Sequence, residues 1–170
     1  DYPLDWSYYL ARKDSVFGYG PLWWIIVRGC TQWATNLGQY LVGLKILGAV
    51  CFGVSLRLIW LLSPPERRPQ NLVFFAWNPI VLVDGLVRLH NDLLTVPFVL
   101  AAVWLFQRRA ALSLPMVALG ALIKLIVAPV GLVVLTLLLR ARDWRAIALG
   151  SAASLVIIVG LYAPFWYGLG

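Results

Sequence analysis

The sequence has few charged residues for its length. Only 12% of its 170 residues are Asp, Glu, Lys or Arg, whereas 62% are hydrophobic. Soluble domains carry roughly 25% charged residues, and a domain of this size has too little interior to bury so many apolar side chains. The composition therefore excludes an ordinary water-soluble domain and predicts that most of the chain lies in a membrane.

Histidine and cysteine are scarce, and familiar catalytic motifs are missing. The chain has one His and two Cys. It contains no Walker motif, no G-x-G-x-x-G after a strand, no HExxH, no cysteine pair at zinc spacing and no G-x-S-x-G. These absences argue against enzymes that use nucleotide donors or a zinc-bound water. Cys30 and Cys51 are interpreted as small buried hydrophobic residues.

Basic residues outnumber acidic ones and give a net charge of +7. Seven of the 14 Lys and Arg residues fall in three turns, 63–69, 107–109 and 140–145, at the ends of apolar runs. Such positive charge marks the cytoplasmic loops of membrane proteins. We therefore expect no nucleic-acid partner and place all three turns in the cytoplasm.

Four apolar runs are candidates for membrane-spanning helices, which need about 20 residues. Together they predict an all-α fold, a polytopic transmembrane helical bundle in the cell membrane. The runs are Leu37 to Leu62, Leu72 to Val87, Leu93 to Phe106 and Ile147 to Phe165.

A fifth apolar run, Leu114 to Leu139, is interrupted by Lys124, Ala128 and Pro129. Because the basic turns on both sides of it are expected in the cytoplasm, this run must enter the membrane and return. It is predicted to form a hairpin of two short helices, over 112–126 and 129–139, with the interruption near its tip. A single long helix kinked at the proline is the alternative.

The segment before Leu37 has a different character. Residues 1–20 are polar and aromatic, and Pro21 to Trp33 is too short to span a membrane and carries Arg28 and three Trp residues. Indole rings prefer the membrane interface, so this stretch is predicted to be an amphipathic helix lying there, on the outer side. Pro21 suits its first turn.

The chain is accordingly interpreted as one transmembrane domain. Residues 1–36 form an extracytoplasmic loop and an interfacial helix, and residues 37–170 form the transmembrane helices. Because the sequence opens without Met or a signal peptide, and stops just after an apolar run, we expect it to be an internal fragment of a longer protein.

The most informative polar cluster is Arg88, His90, Asn91 and Asp92, preceded by Asp84. By the order of spans, this turn is external. Asn91 and Asp92 can be explained as N-caps of the helix that follows. The functional alternative is that His90 and Asp92 bind a hydroxylated substrate or a divalent cation. The sequence identifies no cofactor, and Mg²⁺ or Mn²⁺ is the candidate.

Lys124 lies within an apolar run, where inserting a lysine costs ~2.5 kcal/mol or more. It is expected either to snorkel to the outer interface, to pair with Asp84 or Asp92, or to hold the phosphate of an anionic lipid. Lys45 and Arg57 are also in an apolar run but nearer its ends, so both are expected to snorkel.

An aromatic segment, residues 17–24, leads into the predicted interfacial helix. Its Tyr19, Pro21, Trp23 and Trp24 are expected to anchor the chain in the membrane or to form a sugar-binding surface through CH–π packing.

The order of these features resembles the GT-C superfamily of integral membrane glycosyltransferases. The sequence is most similar to the bacterial polyprenol-phosphomannose-dependent mannosyltransferases, and the resemblance spans nearly all 170 residues. The motifs that carry it are YGPLW at 19–23, FAWNP at 75–79, HND at 90–92 and GALIK at 120–124, with basic turns between them.

The resemblance implies transfer of a hexose, with mannose as the first candidate, from a polyprenyl-phosphate donor to a hydroxyl of a glycan or lipid acceptor. It implies a multi-pass protein of the bacterial cell envelope, embedded in membrane lipid, whose active site faces the extracytoplasmic side. Asp92 and His90 would be catalytic, and the general base of the family would lie upstream of the fragment, with Asp5 and Asp1 as further candidates. The substrate-binding candidates are Asn91, Asp84, Arg88, Lys124, Tyr19, Pro21, Trp23 and Trp24.

Two other classes stay open. A lipid or polyprenol-linked sugar transporter would also have broken helices with charge in the membrane, but it predicts inverted repeats and a polar path, and neither is visible. The other class is a non-catalytic membrane scaffold, a family relative that lacks the base.

Overall fold

A computed structural model describes residues 19–88 and 90–166, except for the side chain of Trp166. Within these residues the fold is entirely helical, as predicted. Short 3₁₀ turns at Pro65–Arg67, Ala110–Leu112 and Leu125–Val127 precede three of the helices. The helices are α1 (Pro21–Thr31), α2 (Leu37–Leu62), α3 (Arg68–Ala76), a π-helix (Ile80–Val87), α4 (Asp92–Phe106), α5 (Ser113–Ala121), α6 (Ala128–Arg140) and α7 (Trp144–Trp166).

Two of the described helices are long and apolar enough to cross a membrane, α2 and α7. Helix α2 has the predicted bounds because both ends carry stop signals. The Asn36 side chain accepts a hydrogen bond from the Gln39 N–H at 2.9 Å, which caps the start of the helix. Ser63 has extended backbone angles and precedes Pro64, which disfavours helical geometry.

One face of α2 is buried and another is exposed. The buried face carries small residues, Gly43, Gly48 and Ser55, which allow neighbouring helices to approach closely. The exposed face carries a branched apolar residue at every fourth position. These are Val42, Ile46, Val50 and Val54.

The predicted span from Leu72 to Val87 is wrong as a single helix. Helix α3 and the π-helix are separate and meet at a bend of 55°. Pro79 disfavours helical backbone at Asn78, and the Asn78 side chain accepts a hydrogen bond from the Ile80 N–H at 2.9 Å. If the bent pair crosses the membrane as one broken span, the described residues contain three spans.

The fifth apolar run folds back on itself. Helix α5 ends at Ala121, earlier than predicted, and Lys124 has extended backbone angles before α6 begins. A Cβ placed on Gly131 would lie 3.3 Å from Val117 Cγ1, whereas 14 residues of one straight helix would separate them by about 20 Å. The hairpin is therefore present, and the single kinked helix is wrong.

The core lies where the hairpin packs between α4 and α7, and buried apolar residues from all four helices meet there. A Cβ on Gly150 of α7 would lie 2.8 Å from the Ala111 carbonyl oxygen. The turns 107–112 and 140–145 therefore share one end of the fold. Helix α2 leads to the turn 63–69 at this same end, which we call the basic end. The opposite end, around the hairpin tip at 122–127, is the tip end.

The shared basic end makes a prediction about accessibility. Arg109→Cys and Arg140→Cys, in a chain whose Cys30 and Cys51 are replaced, are both expected to resist an impermeant maleimide added outside intact cells. Both should react after permeabilisation, since the basic turns are expected in the cytoplasm. Trp33→Cys, half-exposed at the tip end, is the labelled control. Labelling of only one of the two arginine positions would contradict the shared end.

Candidate functional site

Asp92 connects the two polar features that the sequence singles out. It is the first residue of α4, and its Oδ2 lies 2.9 Å from His90 Nδ1. Its Oδ1 is paired with the Nζ of Lys124, 32 residues later at the hairpin tip. Of the three expectations for Lys124, the structure shows the pairing with Asp92. A lysine, a carboxylate and an imidazole are thereby held in one cluster.

Asn91 does not cap the helix, contrary to the simplest expectation. It occupies the N-cap position of α4 without a side-chain cap hydrogen bond. Its side chain is only 4% exposed, and neither its Nδ2 nor its Oδ1 has a partner among the described residues. Leaving a buried amide unpaired costs about 1–3 kcal/mol. Asn91 is therefore poised to accept a partner from outside the described residues.

Asp84 and Arg88 hold the turn that precedes the cluster. Arg88 Nη1 lies 3.1 Å from Asp84 Oδ1, one helical turn apart, and the His90 N–H donates to the Asp84 carbonyl oxygen at 2.8 Å. Both side chains of the ion pair are substantially exposed, so the pair adds little stability. The backbone hydrogen bond to Asp84 positions His90 at the start of the cluster.

A pocket of about 400 Å³ lies beside the cluster. Its lining combines polar and apolar side chains. The polar ones are Asp84, Arg88, His90 and Asp92, and the apolar ones include Ile80, Val81, Leu93 and Val96. Such a pocket suits a ligand with a polar head and an apolar chain.

Helix α1 docks on the hairpin tip next to Lys124. The Gly20 N–H donates to the Ile123 carbonyl oxygen at 3.1 Å, and the Leu22 N–H donates to the Leu122 carbonyl oxygen at 3.1 Å. Pro21, buried between them, needs no such partner because it has no N–H. The start of α1 is thus joined to the hairpin tip by two backbone hydrogen bonds.

The aromatic candidates divide between two neighbours. Trp23 lines a narrow crevice with His90 and Leu94, and its ring centroid is 5.7 Å from that of Tyr19. Trp24 packs edge-on against Phe165 of α7, with 6.1 Å between centroids. Trp23 is therefore close to the cluster, whereas Trp24 joins α1 to α7.

Lys45 is a site residue that sequence reasoning did not include. It was expected only to snorkel, but its Nζ lies 3.5 Å from the Val87 carbonyl oxygen. That carbonyl ends the π-helix, where a cation is favourable. The sequence did mark Lys45 as unusual, because a lysine in an apolar run is costly. It could not predict which carbonyl oxygen the ammonium would contact.

The described residues do not by themselves fit a divalent cation. No group of three or more His, Cys, Asp or Glu that could hold a metal ion occurs within 19–88 and 90–166. The base candidates Asp1 and Asp5 lie outside the described residues.

Comparison with protein-family models, with curated proteins and with solved structures found no match to this chain. Function is therefore inferred from the residues and from their geometry.

Proposed function

We propose that this chain carries the site of a membrane glycosyltransferase of the GT-C type. It would transfer a hexose, with mannose as the first candidate, from a polyprenyl-phosphate donor to an acceptor hydroxyl on the extracytoplasmic side. One observation carries the proposal: Asp92 joins His90 and Lys124 beside a pocket lined by both polar and apolar side chains. This site lies at the tip end, away from the basic turns that are expected in the cytoplasm.

The pocket supports the substrate class. A polyprenyl-phosphate sugar has a long apolar chain, an anionic phosphate and a hydroxylated ring. Ile80, which lines the pocket, is 70% exposed, so an apolar chain could contact it there. Asp84, His90 and Asp92 would then be available for the sugar hydroxyls, to which carboxylate and imidazole groups bond well.

The cluster supports the chemistry of a direct displacement. The acceptor oxygen attacks the anomeric carbon, and the bond from that carbon to the phosphate oxygen breaks. The phosphate leaves as an anion, which the Lys124 ammonium would stabilise. The proton of the acceptor hydroxyl goes to a carboxylate, either Asp92 or one outside the described residues.

The ion pair also suggests how donor binding would prepare the base. In the described structure the Lys124 ammonium is occupied by Asp92. A phosphate that approaches the same ammonium competes for it and weakens its hold on the carboxylate. Asp92, still oriented by His90, would then be free to accept a proton.

The test is a donor assay in membranes that contain the full-length protein. Labelled polyprenyl-phosphate mannose, glucose and arabinose are supplied separately, with candidate acceptors, and sugar release from each lipid is followed. We expect consumption of one donor, and at least a tenfold loss of that consumption in His90→Ala. Gln107→Ala, an exposed polar residue at the basic end, is the matched control and should retain activity.

The opposite result is equally informative. If no donor is consumed although folded protein is present, the glycosyltransferase proposal is wrong. Movement of intact donor across the membrane would then indicate a transporter, and its absence would indicate a non-catalytic scaffold.

A further inference from the structure

A second concave surface lies away from the proposed active site, between α2 and α3. It is an open groove of about 380 Å³. Leu56 of α2 and Leu72 and Val73 of α3 form its apolar wall, and Arg57, Trp60 and Trp77 border it. The groove is near the basic end, so its ligand would not be the one bound at the hairpin tip.

Arg57 is the unusual member of this groove. It lies five residues before the end of α2, or about 7–8 Å along the helix axis. Its side chain is exposed, and no hydrogen bond or ion pair joins it to the rest of the described chain. An arginine this close to the end of a membrane-spanning helix can extend its guanidinium to the interface, where the phosphates of the lipids lie. An anionic oxygen of a lipid is therefore a natural partner for it.

Arg68 brings a second guanidinium to the same border. Its guanidinium carbon lies 4.9 Å from the centre of the Trp60 ring, and its Nε donates to the Ser63 carbonyl oxygen at 3.3 Å. This hydrogen bond uses one of the five N–H groups of the side chain and leaves the two terminal NH₂ groups available. Arg67 is next in the chain, and Glu66 is the nearest acidic residue in sequence. The groove therefore carries net positive charge.

The chemistry of the groove matches an anionic phospholipid. Guanidinium groups bind phosphate through parallel, charge-assisted hydrogen bonds. Indole rings prefer the region between lipid headgroups and acyl chains, and Trp60 and Trp77 supply two of them. We propose that this groove binds one anionic phospholipid, with its phosphate on Arg57 and Arg68 and an acyl chain along Leu56 and the wall of α3.

The proposal is tested with the full-length protein in detergent micelles. Phosphatidylglycerol and phosphatidylcholine are titrated separately, and bound lipid is counted by native mass spectrometry. We expect phosphatidylglycerol to bind at least about fivefold more tightly, and this preference to fall close to one in Arg57→Gln. Arg109→Gln, an exposed arginine at the same end but outside the groove, should keep the preference.

A second measurement locates the lipid and does not depend on removing the arginine. Phosphatidylglycerol with brominated acyl chains quenches nearby indoles, so fluorescence quenching should decrease in Trp60→Phe and Trp77→Phe but not in Trp144→Phe, whose indole lies outside the groove. An unchanged lipid preference in Arg57→Gln would overturn the proposal. So would equal quenching in all three tryptophan variants, because another segment of the protein or a second copy would then fill the groove.

Discussion

Asp92→Asn is expected to reduce sugar transfer by about 1,000-fold while the protein still folds and inserts. General base catalysis accelerates reactions by about 100-fold to 10,000-fold. The amide of asparagine cannot act as the base that takes the proton from the attacking hydroxyl. The same change releases the Lys124 ammonium from its ion pair. Binding of polyprenyl phosphate, the product without its sugar, should therefore be retained or tightened. Transfer and lipid binding are measured on the same membrane preparation.

Two variants separate this effect from a general loss of structure. Glu66→Gln removes a carboxylate at the basic end, far from the cluster, and should leave transfer unchanged. Lys124→Met should weaken the binding of polyprenyl phosphate, which is the opposite of the effect expected for Asp92→Asn. If Asp92→Asn keeps transfer within a few-fold of normal, Asp92 only pairs with Lys124 and the base lies elsewhere.

Those parts of the fold that depend on local signals could be predicted from the sequence. Helix α2 was predicted from its apolar run alone, and the observed bounds agree because the residues that flank the run, Asn36 and Ser63-Pro64, also end the helix. The hairpin was predicted from charge: two basic turns on one side of the membrane force the chain between them to return. Neither inference required knowledge of distant contacts.

The bend between α3 and the π-helix could have been found but was not. Asn78-Pro79 is a breaking signal inside an apolar run, and the hydropathy of the run outweighed it. The π-helical geometry of Ile80–Val87 is a different matter. No residue pattern in that segment distinguishes hydrogen bonds to the fifth residue from those to the fourth, so packing must decide between them.

In the candidate site too, local sequence signals identified single residues but not the distant contacts between them. The sequence indicated that Asp92 and Lys124 matter, because Asp92 directly precedes one apolar run and Lys124 interrupts another. It offered pairing between them as one of several alternatives, since nothing local connects residues that are 32 positions apart. For Asn91 the local cap rule gave the wrong answer, and the buried, unpaired amide became visible only in the folded chain.

Gly20 is the residue whose role was hardest to see from sequence. Its φ of −78° is open to any residue, so the backbone conformation does not require a glycine here. The structure gives a different reason for a glycine. A Cβ at this position would lie 2.1 Å from the Leu122 carbonyl oxygen and 2.6 Å from its carbonyl carbon. Both are backbone atoms, which cannot rotate away as the end of a side chain can.

Gly20→Ala is therefore expected to push α1 off the hairpin tip. The two hydrogen bonds from Gly20 and Leu22 would lengthen or break, and the cost of overpacking together with their loss should reach about 3 kcal/mol. Because Lys124 follows Ile123 directly, its ammonium should also lose its place beside Asp92. The expected results are a lower Tm in detergent and a loss of transfer comparable to that of Lys124→Met.

Gly29→Ala is the matched control for this change. Gly29 lies in the same helix, and a Cβ there would meet nothing within 4 Å. Alanine is a better helix former than glycine by about 1 kcal/mol, so this variant should keep or raise the Tm. A Gly20→Ala protein with the Tm of the Gly29→Ala protein would show that α1 does not hold the tip. A lower Tm for Gly20→Ala alone would make the contact between α1 and the tip a structural support of the Asp92–Lys124 pair.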